Sequence, residues 1–155
     1  MSNPSTARSR AWVEVDLGAL KENLEAIRAA APGCAVLPML KANAYGTGVE
    51  RVHAALAEML APEGPWAFGV AAVAEGEALR SFGWTGRVVV FSPVPPGEEP
   101  RAARANLTVA VSDLEALARW RAAAEAVGER RAFHLEVDTG MGRAGFPCGA
   151  ADSWG

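Results

Sequence analysis

The chain has 155 residues, about one domain at roughly 150 residues per domain. Half of it is hydrophobic and 21% is charged, which provides for a buried core and excludes a chain disordered by composition. A net charge of −3 excludes a strongly basic nucleic-acid footprint, and no apolar run approaches the roughly 20 residues that cross a bilayer.

Residues 1–10 are polar and lack the apolar stretch of a secretory signal, so a frayed N-terminus and a cytoplasmic protein are expected. Trp12, Val13 and Val15 alternate with Glu14 and Asp16, which predicts a short strand. Asp16 then offers an N-cap to a helix whose apolar stripe is Leu17, Leu20, Leu24 and Ile27, stopped by Ala31-Pro32-Gly33. Residues 36–40 form a continuous apolar run, followed by a helical stripe of Val49, Val52, Leu56 and Met59. A second run at 66–71 precedes a helix carrying Leu79 and Phe82. A third at 87–91 leads into a Pro/Gly-rich loop at 93–100, and a fourth occupies 107–111. Ser112 and Glu115 have the spacing of a capping box ahead of Leu114, Leu117 and Trp120, with Gly128 as the stop. Residues 132–137 are the fifth run.

Apolar runs alternating with helices describe βα units around a parallel sheet, closed either as an open doubly wound sheet or as a barrel. On the fifth run Phe133, Leu135 and Val137 share one face, and His134, Glu136 and Asp138 share the other. A polar face leading to a site at the strand's C-terminal end favours the barrel. The expected fold is therefore α/β, a partial TIM-type (β/α)8 barrel. About five of the eight βα units of a ~250-residue barrel are present. The closing stretch FPCGAADSWG reads as an interruption, so the chain is expected to be an N-terminal piece of a longer protein, with residues 11–155 forming an incomplete barrel domain.

Lys41 is the position richest in chemistry. It follows the run 36–40 at the C-terminal end of a predicted parallel strand, before a turn containing Gly46 and Gly48, where α/β folds place reacting groups. A partly desolvated amine there could attack an aldehyde, whereas a lysine snorkelling from a strand end is the plainer alternative. Lys21, the other lysine, lies on the polar side of its helix. Pro38 within the same run forfeits a ladder donor. The second cluster, Asp138-Thr139-Gly140-Met141-Gly142-Arg143, follows the fifth strand and so shares the rim with Lys41 in a barrel. Its glycines allow close backbone approach, and Arg143 offers a planar fork for an oxyanion, unless it is a surface arginine on a connection. His53 reads as a surface or boundary residue. The arginines at 101, 104, 119, 121, 130 and 131 read as a solvated face. Neither histidine, nor Cys34 nor Cys148, has metal spacing, so no metal is expected.

Taken together, Leu40-Lys41-Ala42-Asn43-Ala44-Tyr45-Gly46 and Asp138-Thr139-Gly140-Met141-Gly142-Arg143-Ala144-Gly145 resemble the alanine racemase family of pyridoxal-phosphate barrel enzymes. AWVEVDLGALKENL at 11–24 and GVAAVAEGEALR at 69–80 do so too, with all motifs in family order. The resemblance implies a Schiff base between Lys41 and pyridoxal phosphate, with the freed amine moving the α-proton on one face. It implies that Tyr45 contacts the cofactor phosphate and that Arg143 lies near the phenolic oxygen and the substrate carboxylate. Glu136 stands where many members have a carbamylated lysine, and is expected to orient Arg143 through a carboxylate. Thr47 replaces a common histidine. The family's opposite-face base is a tyrosine from a C-terminal β-domain, absent here, of the partner subunit in a homodimer. The isolated 155 residues are therefore expected not to turn over. Racemisation of alanine to supply D-alanine for peptidoglycan is the implied role. A racemase of another small amino acid such as serine, or a non-catalytic pyridoxal-phosphate-binding barrel, are the alternatives.

Overall fold

A computed structural model of the chain describes residues 11–60 and 64–149. The expected frayed segment 1–10 and the end of the closing stretch, 150–155, lie outside the described residues.

Helix α1 (Leu17–Ala30) starts where expected: the Asp16 carboxylate accepts from the N–H groups of Gly18 and Ala19, supplying two of the partners a first turn lacks. Only Leu24 of its apolar stripe is buried, and Ile27 stays 58% exposed. The strand expected around Trp12–Val15 is not formed. Residues 12–16 take no strand assignment, and alternation alone does not make a strand without a ladder to join.

Residues 36–40 run parallel to strand β1 (Phe68–Val70) as the outer edge of the sheet. Val36 and Pro38 carbonyls accept from Trp66 and Gly69 N–H groups at 2.9 Å each, and Leu40 N–H donates to the Gly69 carbonyl at 2.7 Å. Only Met39 pairs formally with Gly69, because Pro38 has no N–H for the next rung. Strands β1, β2 (Val88–Val90), β3 (Thr108–Val111) and β4 (Phe133–Leu135) are hydrogen-bonded in that order, all parallel. A doubly wound sheet reverses its strand order at a switch point, and this one does not.

Curvature supports the same conclusion. Trp66, just ahead of β1, and His134 on β4 have ring centroids 6.1 Å apart. Three strand spacings of a flat sheet would hold their backbones about 14 Å apart. Side chains with two strands between them meet across the hollow of a bending wall. The chain is thus part of a (β/α) barrel wall.

Helices α3 (Val49–Met59), α4 (Val73–Ser81) and α6 (Leu114–Ala126) alternate with these strands as expected, burying Val52, Leu56, Val73, Leu79, Trp120 and Ala123. A further helix, α5 (Glu99–Arg104), occupies the end of the stretch read as a loop, with Pro100 in its first turn, where its missing N–H costs nothing. The expected capping box fails. Asp113, not Ser112, caps α6 by accepting from Ala116 N–H at 2.7 Å, which leaves Ser112 for another partner. His53 is buried, 7% exposed, among Phe68, Phe82 and Trp84, not at the surface. Nor are the arginines a uniform solvated face: Arg101 pairs with Glu77, Arg119 with buried Glu99, and Arg131 reaches the Ala103 carbonyl.

The fifth run divides at Glu136. Its N–H still bonds Val111 of β3, but its carbonyl accepts from Phe146 N–H at 2.8 Å. Strand β5 (Val137–Asp138) then pairs in parallel with β6 (Phe146–Pro147). The start of FPCGAADSWG therefore belongs to a two-stranded sheet, with Phe146 buried.

Candidate active site

Lys41, the loop after β1, Ser112 and the segment 138–145 all follow the C-terminal ends of parallel strands, so they share one rim. This is the face on which barrels carry their chemistry.

Lys41 opens a five-residue turn, α2 (Lys41–Tyr45), whose handedness is reversed. Ala42, Asn43, Ala44 and Tyr45 have φ of 53°, 55°, 52° and 55°. Left-handed backbone costs L-residues roughly 1–2 kcal/mol each and normally occurs singly. Of the four, only asparagine leans toward it. The turn is closed internally by Ala44 N–H to Leu40 carbonyl and Gly46 N–H to Ala42 carbonyl, each 2.9 Å. Asn43 Oδ1 accepts from Val49 N–H at 2.9 Å, and the Thr47 hydroxyl donates to the Ala44 carbonyl. Buried Ala44 pins the turn to the core. Gly46, at φ +84°, terminates it. Backbone strain of this kind clusters at active sites and ligand clamps, which makes this rim segment the candidate site.

The turn brings two expected residues together. Lys41 Nζ lies 5.8 Å from the centroid of the Tyr45 ring, and both residues are exposed. Among the described residues no carboxylate pairs with the Lys41 amine, whereas Lys21 lies 3.9 Å from Glu25. The sequence reading missed Glu75 of α4. Its carboxylate accepts from Ala42, Ala71 and Ala72 N–H groups at 2.7, 2.8 and 3.1 Å. An acid placed three residues after a helix start was the available signal.

The second cluster is organised by Asp138. The N–H of Gly142, and then those of Gly140 and Met141, hold its carboxyl below the usual carboxylate range. Gly145 closes the loop at φ +113°, and a Cβ there would stand 2.7 Å from the Asp138 nitrogen. Arg143 is carried on this loop, exposed and without an ion pair among the described residues. The expected contact between Glu136 and Arg143 is not made in this structure. Glu136 Oε2 instead accepts from the Ser112 hydroxyl at 3.2 Å. Ser112 is free for this because Asp113 caps the helix.

An exposed, carboxylate-free amine at a barrel rim, a phenol on the same turn and a free guanidinium on a glycine-rich loop suit a small molecule bearing an aldehyde and anionic groups. That donor set fits pyridoxal phosphate, with Lys41 for its aldehyde. The fold and the position of these residues thus define a (β/α) barrel with a candidate small-molecule site on its C-terminal rim.

The comparisons give the family. Residues 15–154 match the alanine racemase N-terminal domain, and the chain belongs to the alanine racemase family, whose members are pyridoxal-phosphate enzymes. The alanine racemase of Citrifermentans bemidjiense is 43% identical over 138 residues, 87% of this chain and 35% of that protein. The structure of alanine racemase from D-cycloserine-producing Streptomyces lavendulae is 37% identical with a TM-score of 0.77, covering 84% of this chain and 33% of that one. Histidine racemase from Leuconostoc mesenteroides subsp. sake is 28% identical with a TM-score of 0.77, over 94% and 38% of the two chains. The chain therefore spans about a third of the length of the relatives it matches.

Proposed function

We propose that the protein carrying this chain interconverts L- and D-alanine in the cytosol, supplying D-alanine for peptidoglycan, with pyridoxal phosphate held on Lys41. One observation carries the reading: a strained, reversed turn that presents a carboxylate-free lysine amine beside a tyrosine at the rim of the barrel wall.

When bound, pyridoxal phosphate supplies a conjugated ring that spreads the negative charge left on a substrate's α-carbon. The residues of this chain divide the remaining work. Lys41 Nζ would hold the cofactor and could take or return a proton at the substrate's α-carbon on one face. The Tyr45 hydroxyl would donate to the cofactor phosphate. Arg143 receives the substrate carboxylate on its planar fork, with Glu136 orienting it. One base serves one face only. Inversion therefore requires a second base on the opposite face, which we assign to a tyrosine of the partner subunit in a homodimer.

A second reading, a racemase of another amino acid such as serine, draws support from the histidine racemase of similar fold. The test uses the full-length protein. Borohydride reduction and peptide mapping are expected to find the pyridoxyl label on Lys41. The visible absorption should disappear in Lys41→Ala and persist in Lys21→Ala. Label elsewhere, or nowhere, overturns the assignment. Turnover of alanine, serine and histidine measured side by side decides the substrate, and preference for either of the latter two overturns the alanine reading.

A further inference from the structure

We propose that Glu75 is a positioning residue for Lys41, a carboxylate clamp that holds the reversed turn in register with the neighbouring βα unit. The inference rests on the reading of Lys41 as the cofactor lysine and assigns a residue to that site.

Three backbone donors converge on one side chain. Glu75 Oε2 accepts from Ala71 and Ala72, the residues that join β1 to α4, while Oε1 accepts from Ala42 at 2.7 Å. Ala42 directly follows Lys41 and is the first residue of the left-handed run. The first N–H groups of any such turn have no internal acceptor, since the earliest internal donor here is Ala44, to Leu40. The other side-chain clamps described, from Asn43 and Thr47, work within the same segment and can hold its shape but not its place. Glu75 alone among them reaches across 33 residues of chain.

The chemistry requires a carboxylate. Both oxygens act as acceptors toward donors on opposite sides. A glutamine would present one oxygen and one NH2, and the NH2 would face an N–H donor. One arm of the clamp would then be lost. Glu75 does not touch a reacting atom, so its effect reaches the reaction only through where it holds Lys41. Lys41 is thus held to the adjacent unit on both sides, by the Leu40 N–H bond to Gly69 before it and by the Glu75 bond to Ala42 after it, and only the second depends on a side chain.

Three variants of the full-length protein test this, each first shown to be folded by circular dichroism. Glu75→Ala is expected to speed amide exchange across residues 41–48 by about tenfold or more, the effect of losing a charge-assisted hydrogen bond. It should slow pyridoxal-phosphate labelling of Lys41 by a similar factor and lower kcat for alanine with less than about threefold change in KM. Glu75→Gln should fall between it and wild type, and carries the test if the alanine variant does not fold. Glu77→Gln, which removes a carboxylate from the same helix that pairs with Arg101, should change none of these. Wild-type exchange and labelling in both Glu75 variants, with Lys41 labelled in wild type, overturn the clamp alone. An unlabelled Lys41 in wild type overturns the cofactor reading and with it this proposal.

Discussion

Ser112 donates its hydroxyl to Glu136 Oε2 at 3.2 Å, tying the loop after β3 to the point where the fifth run leaves β3 for β6. Glu136 is thus anchored through one carboxylate oxygen, and under the proposed function the other would serve Arg143. In the full-length protein Glu136→Gln is expected to raise KM for alanine about tenfold, and Ser112→Ala about threefold, with kcat changed less. Steady-state kinetics on the two variants check this, and unchanged KM in both removes Glu136 from the site.

Glu99 is 4% exposed and accepts from Arg119 Nε at 2.6 Å and Gly97 N–H at 2.7 Å. Burial pushes its carboxyl upward, but the hydrogen bond from Arg119, backbone N–H groups and the Arg119 charge outweigh it and hold it below the usual value. A carboxyl lowered in the folded state binds fewer protons than when unfolded. Its stabilisation is therefore complete above the unfolded value of about 4.5 and is lost as pH falls through the lower folded one. Glu99→Ala should lower the melting temperature by about 5 °C at neutral pH and flatten the acid limb of the stability curve. Urea unfolding between about pH 3 and 6 measures the second effect.

Buried His53 has no hydrogen-bond partner for Nδ1 among the described residues, and burial lowers its pKa from the usual 6.5. Lowered in the folded state, the imidazole takes up its proton more readily when unfolded. Stability is therefore unaffected above about pH 6.5 and declines as pH falls below it, until the folded value is passed. His53→Leu should remove this decline, and unfolding free energies from about pH 5 to 7.5 decide the matter.

Arg80 spends its guanidinium on four carbonyls, those of Trp84, Gly86, Ala105 and Asn106, at 2.7 to 2.9 Å. It joins the loop after α4 to the turn after α5, at the end of the wall away from the rim. Lysine cannot reproduce a planar fork. Arg80→Lys and Arg80→Ala should each lose about 2 kcal/mol in denaturant unfolding while leaving Lys41 labelling intact.

The periodic parts of the fold were legible because burial dictates period. Val52 and Leu56 on α3, and the consecutive valines of β2, show their environment in their spacing. Helix α5 was not legible: it is six residues long, contains a proline and buries few side chains, two of them alanines. Ser112 and Asp113 are both good caps, and which one serves depends on whether Glu136 stands near enough to claim the serine. Lys41, Tyr45 and Arg143 were visible from motif and family resemblance. Glu75 was not, because its role depends on a residue 33 positions away and on a turn whose handedness Ala-Asn-Ala-Tyr scarcely signals.

Because amine and phenol ride on one coil wound against the usual sense, no hinge lies between them. The main chain therefore fixes where the two side chains are rooted, while their own torsions set how far apart the tips stand. Exchanging either side chain changes the reach from its root, and only rewinding the backbone moves the root itself.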